Sequence, residues 1–423
     1  MRAIKSLFLP AAAICLFCVS IAGAETVFTL SDVEGEWVSL ALYSGDRTGE
    51  IVERPRIEYG TLTVNAAARS AVKTYTSYYI PLAQDAAVPT VGQETWTGLE
   101  MGTDGVLSRP EAKGYTFDYA VSKDKKTMAG TDTYEGFRLE ILLKKQPQVV
   151  FSPGDLAGEW YFHSLVSGDV SFYYSPTEHP GMAWGTVNFT ANGTGGYTAI
   201  YSGWKTEGVS YEPLDTPTTP YHYPFSDLVM GADGVIRDPF GEFFHYQMSG
   251  DKDVIVGVRR EYGSGSRMEV LVRKSSERTG AFSVSDAYGS WEYHALVTGD
   301  WPQNYTWEYG TREIGKDGSG EVSWRDSRDN PDVAIYTGVP TAFLSRLDPD
   351  GRVETVRSIF TMTMDKEMLV GIRYGKDFSD YTIPGGFCLD ISFHRDPPPE
   401  IDPFRSAPGS GGCFVDSVQS LYW

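Results

Sequence analysis

A twelve-residue window occurs three times along the chain, and this repetition constrains the fold more than any single motif. Gly35-Glu36-Trp37 through Ser44-Gly45-Asp46 returns as Gly158-Glu159-Trp160 through Ser167-Gly168-Asp169, and again as Gly289-Ser290-Trp291 through Thr298-Gly299-Asp300. Neighbouring windows share seven identities and lie 123 and 131 residues apart. Later landmarks keep the same order in each unit. An aromatic-Gly step (Tyr59-Gly60, Trp184-Gly185, Tyr309-Gly310) precedes an Asp-Gly turn (Asp104-Gly105, Asp233-Gly234, Asp350-Gly351), which precedes an Asp-Lys turn (Asp124-Lys125, Asp251-Lys252, Asp365-Lys366). We read three tandem modules over 27–148, 149–277 and 278–396.

Within a module the hydrophobic period is two, so the elements are strands. Phe137, Leu139, Ile141 and Leu143 alternate with Arg138, Glu140 and Leu142, and the same pattern closes the other two units at Met268 to Arg273 and Phe387 to Phe393. This alternation predicts one face in a core and the other mostly in water. The composition agrees with an all-β chain: 45 Gly, 24 Pro and 13% aromatic residues. About eight strands fit each module. The tight turns Asn192-Gly193, Asp233-Gly234 and Gly250-Asp251-Lys252 fall between strands 2 and 3, 4 and 5, and 6 and 7 of the second unit. In an up-and-down meander these turns share one end, and the longer connections share the other. That layout predicts a closed eight-stranded barrel with one open mouth. The rival is a six-bladed propeller with two four-stranded blades per unit, whose blades of about 62 residues exceed the usual 40 to 50.

The Gly-x-Trp opening of each meander resembles the start of lipocalin-like (calycin) barrels, and the tandem arrangement resembles uncharacterised families of secreted repeat proteins that begin each unit this way. The resemblance implies that Trp37, Trp160 and Trp291 pack across a closed end, and that the open end admits a small hydrophobic or amphipathic ligand.

Residues 1–24 have the secretory layout: Arg2 and Lys5, an apolar run from Leu7 to Ile21, and Ala22-Gly23-Ala24 as a cleavage site. We therefore expect an exported protein, periplasmic, secreted or at the cell surface, with no membrane-spanning segment in the mature chain. Loss of Arg2 and Lys5 takes the net charge from −20 to −22. Such a field disfavours nucleic acid and anionic lipid as partners. The tail over 397–423 is Pro- and Gly-rich, and Gly411-Gly412-Cys413-Phe414-Val415 resembles the glycine-rich Cys-Phe-Ile box near the C-terminus of many exported bacterial proteins. Cys388 and Cys413 are the two cysteines left after cleavage. Their pairing as a disulfide is expected in an oxidising compartment, with Cys388 pointing outward toward the tail; the alternative is a free, lipidated or intermolecular Cys413.

No catalytic signature emerges: there is no Gly-x-Ser-x-Gly, His-Glu-x-x-His or Gly-x-Gly-x-x-Gly. His163 and His294 hold equivalent places that Leu40 fills in the first module, which marks them as strand residues rather than ligands. No cofactor or metal site is expected, because the groups Asp348, Asp350 and Glu354 and Asp326, Asp329 and Asp332 match no calcium loop. The long connections are rich in aromatics, and Tyr173, Tyr174, Trp184, Trp204, Trp301, Tyr305 and Trp307 are the candidate ligand contacts, since a flat ring suits a sugar face or an amphipathic ligand. The expected function is a non-enzymatic binding or cell-envelope interaction protein for a small ligand, a glycan or a surface protein. The alternatives are a glycan-acting hydrolase using loop carboxylates and a structural surface protein without a small ligand.

Overall fold

The computed structural model describes residues 27–44, 55–79, 89–109, 117–132, 137–167, 181–207, 210–213, 221–238, 244–261, 265–298, 306–316, 320–326, 336–340, 347–354, 358–374 and 386–395. Strands account for nearly all of the regular structure, arranged in three curled antiparallel sheets. The first sheet holds β1 (Gly35–Ser44), β2 (Arg56–Asn65), β3 (Ser70–Tyr79), β4 (Thr90–Thr97), β5 (Glu100–Met101), β6 (Val106–Ser108), β7 (Phe117–Val121), β8 (Thr127–Asp132) and β9 (Phe137–Lys144). The second holds β10 (Gly158–Ser167), β11 (Gly181–Phe189), β12 (Gly195–Glu207), β13 (Ser210–Pro213), β14 (Tyr221–Phe225), β15 (Val229–Met230), β16 (Val235–Arg237), β17 (Phe244–Met248), β18 (Val254–Glu261) and β19 (Gly265–Lys274). The third holds β20 (Gly289–Thr298), β21 (Thr306–Ile314), β22 (Gly320–Asp326), β23 (Tyr336–Pro340), β24 (Arg352–Glu354), β25 (Ser358–Met362), β26 (Met368–Tyr374) and β27 (Phe387–Arg395).

In each sheet the first strand pairs with both its successor and the last strand, as a barrel requires. The two edges of the first sheet, β4 and β5, are consecutive in the chain and separated only by Gly98 and Leu99. They act as two halves of one bent strand, the first pairing with β3 and the second with β6. Counted so, the module has the eight strands read from its sequence. The sheets are lipocalin-like barrel modules, and the propeller is excluded.

The closed end is built identically three times. A short helical turn precedes each first strand, at Leu30–Val33, Pro153–Leu156 and Val284–Ala287, each opened by a capping box. Trp37, Trp160 and Trp291 are wholly buried. Each indole N–H donates to a carbonyl of its helical turn, Val33 at 2.8 Å, Leu156 at 3.0 Å and Ala287 at 2.9 Å. The Asp-Lys turns lock against these plugs: Lys125, Lys252 and Lys366 take left-handed backbone angles and pair with Asp32, Asp155 and Asp286 at 2.8, 2.9 and 3.0 Å.

The expectation that one strand face meets water is corrected. Phe137, Leu139, Ile141 and Leu143 do not line a barrel; they join one apolar cluster that includes Val254, Val270, Ile372 and Leu389 from the other two modules. The alternate residues Arg138 and Glu140 point into the first barrel and are equally buried. The physical reason is cyclic packing. β1 lies against β18 and β19, β10 against β26 and β27, and β20 against β8 and β9, so each barrel's outer face is covered by its neighbour. The barrels' own interiors form separate clusters around Trp37, Trp160 and Trp291.

Because β1, β10 and β20 contact one another at the centre, the three barrels stand side by side and point the same way. At the far end of these strands Ser44 Oγ donates to the Val297 carbonyl at 3.5 Å and Thr298 Oγ1 to that of Val166 at 3.3 Å. The ring also brings the start of the first module to the end of the third, with the Arg395 guanidinium 5.5 Å from the Phe28 ring and donating to the Val121 carbonyl.

Candidate functional site

Three regions carry unusual chemistry. The first is the barrel interior, where strand register places an acid at one equivalent position: Glu140 opposite Ala41, Glu269 opposite Ser164 and Asp390 opposite Ala295. All three are fully buried. Glu140 accepts from Tyr119 at 2.5 Å and from Ser39, and pairs with Lys73 at 3.0 Å and Arg138 at 3.6 Å. Glu269 accepts from Tyr197 at 3.2 Å, from Tyr246, and from Arg259 at 3.0 Å. Asp390 is gripped by both terminal nitrogens of Arg312, one at 3.0 Å, with Ser392 at 2.9 Å. Burial pushes the Glu140 carboxyl up, but Lys73, Arg138 and its hydroxyl donors outweigh this and hold it at about 2. Asp132, one register position toward the mouth, goes the other way: burial, only partly offset by Arg138, pushes it up to about 6.

This separates two carboxyls in one barrel, the pattern an acid–base pair needs. Both are sealed among arginine, lysine and tyrosine, however, with side-chain exposures of 0 and 3%. At this layer the barrel is filled with protein groups rather than open as an apolar cup. Cys388 lies inside the third barrel against Tyr293, Ala295 and Val297. Its position corrects the outward orientation expected from alternation, and burial pushes its thiol well up. Its expected partner Cys413 lies outside the described residues.

The second region is the turn end of the central axis. Asp124, Asp251 and Asp365, one from each Asp-Lys turn, bring carboxylate oxygens within 4.8 Å of one another beside a cavity of about 520 Å³. Such a triad presents oxygens that suit a hard cation. Each Asp also has a structural task, accepting the hydroxyl of Ser122, Ser249 or Thr363 at 2.6, 2.5 and 2.6 Å. Sequence reading missed this grouping, although its signal was the repeated Asp-Lys landmark itself. Asp348, considered above for calcium, instead accepts the backbone N–H groups of Asp350 and Arg352 within its turn.

The third region is the opposite end, where the connections between first and second, third and fourth, fifth and sixth, and seventh and eighth strands leave every barrel. Trp184 is part-buried against the shared junction core, and Trp307 is buried within it at 1% exposure. Neither stands free at a barrel mouth. Trp204 lies in β12 in register with Pro213 of β13, a hairpin that extends beyond the main sheet. Tyr173, Tyr174, Trp301 and Tyr305 fall outside the described residues.

No protein-family model matches the chain, and no match is found among curated proteins. Among solved structures, a DUF3598-family protein of unknown function from Nostoc punctiforme aligns at 12% identity over 58% of this chain and 97% of its own, with a TM-score of 0.19. A candidate AttH protein from Nitrosomonas europaea aligns at 11% identity over 86% of this chain and 93% of its own, with a TM-score of 0.16. At these scores neither carries an argument about fold or function.

Proposed function

We propose that this is an exported, non-enzymatic binding protein that presents loops from three fixed barrels on a single face to a component of the cell envelope. The carrying observation is the parallel stacking of the barrels, which turns the strand ends that bound the long connections to one side while the Asp-Lys turns, the Trp plugs and Arg395 at the end of the third module gather at the other. Loops held on a rigid scaffold are the usual carriers of recognition. Three sets held side by side give multivalent contact without loss of orientation. The charged side chains that fill the first barrel around Arg138 and Glu140 support a ligand held by the loops rather than one deep inside that barrel.

The test is co-sedimentation of the purified protein with envelope fractions from its own host, with native mass spectrometry on the same preparation. Replacing Tyr173, Tyr174, Trp204, Trp301 and Tyr305 by serine is expected to release the protein from the pellet. Unchanged sedimentation of this variant would remove the loops from the binding function.

A further inference from the structure

Each junction between two barrels contains a histidine whose ring meets the neighbouring barrel. At the junction of modules one and two, His245 stacks on Tyr59 with ring centroids 4.1 Å apart and planes at 7°. Between modules two and three, His163 Nε2 lies 2.9 Å from Thr361 Oγ1. Between modules three and one, His294 Nδ1 lies 3.2 Å from Thr131 Oγ1. His163 and His294 are fully buried among apolar side chains, and every one of these three partners is uncharged. Two carboxylates lie at the junctions, Glu292, which accepts from Arg395 at 2.7 Å two residues from His294, and Asp253 at the second junction, whereas Glu140, Glu269 and Asp390 are inside the barrels.

The charged groups that face these rings are cationic or nearly balanced. His163 faces Arg352, His294 faces Arg395 with Asp390 opposing it, and His245 faces Arg237 with Asp233 opposing it. A protonated imidazole at any junction stays desolvated and faces a guanidinium, and at His163 and His294 the other ring nitrogen, Nδ1 and Nε2 respectively, is buried with no acceptor for its proton.

We propose that acid loosens the three barrel–barrel junctions as a set, ahead of the barrels themselves. Burial, with Arg352 adding to it, holds His163 at about 3; burial and Arg395 hold His294 at about 3; burial and Arg237 hold His245 at about 4. These are depressed basic groups, so the contact they stabilise is intact above the exposed histidine value near 6.5 and weakens as pH falls below it. Glu140, held at about 2, weakens the first barrel only below the ordinary carboxylate value of 4.5. Asp253, Asp365 and Glu292 oppose the trend: Asp253 accepts the Met364 N–H across the second junction at 2.9 Å and is raised to about 6, Asp365 is raised, and burial raises Glu292 against the pull of Arg395, so all three take up protons in the closed form.

The junctions and the barrel interiors each carry their own reporters. Met182, Met268, Met368 and Trp307 lie in the shared junction core, whereas Met128, Met248 and Met362 lie inside individual barrels. Hydroxyl-radical footprinting of the full chain, read by mass spectrometry at pH 7.5 and 4.5, is expected to label the junction set at the lower pH and leave the barrel set protected. Each histidine held near 3 raises the junction-opening constant by about tenfold per pH unit below its exposed value. His163→Leu and His294→Leu install the residue that Leu40 already provides in module one, and each is expected to reduce the acid-induced rise by about a hundredfold between pH 7.5 and 4.5. His245→Phe, which keeps the stack, is expected to act in the same direction. Simultaneous labelling of both sets, no labelling at pH 4.5, or an unchanged acid response in all three variants would overturn the proposal.

Discussion

Excising the second module tests whether these barrels are independent domains. In the intact chain Val254, Val256, Val258, Met268, Val270 and Val272 project from β18 and β19 into the shared cluster, each at most 4% exposed. A fragment over 149–277 returns all six to water. At roughly 1.5–3 kcal/mol for each fully buried apolar side chain, they represent about 9–18 kcal/mol, an upper figure because unfolded chains bury part of that surface too. A domain of this size has a total stability of about 5–15 kcal/mol, so the loss is comparable with everything that holds the fragment folded. The fragment retains its plug, its interior Glu269 network and its closed sheet, and what it lacks is a cover. Size-exclusion chromatography with light scattering, alongside near-ultraviolet circular dichroism, is therefore expected to show self-association or loss of fixed packing. A soluble monomer with a cooperative melt near that of the full chain would refute the argument, because it would mean that the outer apolar faces contribute little.

Three further outcomes follow from particular contacts. Glu140→Ala leaves Lys73 and Arg138 buried without their shared carboxylate, and chemical denaturation is expected to show a loss of about 3–5 kcal/mol, against a near-neutral result if the network is dispensable. Gly257→Ala would set a methyl 2.1 Å from the Tyr246 ring, as Gly371→Ala would beside Phe360, and each is expected to cost about 1–3 kcal/mol, read as a fall in denaturation midpoint. Asp253 is raised to about 6, so its contribution is present below its ordinary value near 3.8 and is lost as pH rises through 6. Asp253→Asn, which keeps an acceptor for Met364, is expected to flatten the dependence of melting temperature on pH between 4 and 7.5, while an unaltered slope would place that titration elsewhere.

Much of the architecture is legible in the residues because it is local. The Gly-x-Trp openings, the Asp-Gly turns with their positive-φ glycines, and the two-residue alternation mark strand ends, and the eight-strand count follows from them. What alternation does not disclose is which face is inside. Phe137 and Leu139 look like barrel lining because they are apolar, and Arg138 and Glu140 look solvated because they are charged. The reverse holds because a second barrel covers the outer face and because charges from four strands, β2, β3, β8 and β9, satisfy one another within the barrel. The same inversion misplaced Cys388. The carboxylate triad of Asp124, Asp251 and Asp365 depended on knowing that three repeats meet on one axis, which repetition suggests but cannot establish.

The meeting of Phe28 with Arg395 gives this chain a property of a loop rather than of a line. Its order of modules is cyclic, so no barrel is terminal in space and none needs a specialised cap. Covalent continuity at the two inter-module connections near 149 and 278 is then interchangeable with a new link joining the chain near Phe28 to the chain near Arg395. A gene rearranged to begin at either connection would encode the same set of three junctions. Gain or loss of a single module, by contrast, would leave two apolar faces without partners, which sets three as the number at which this repeat closes.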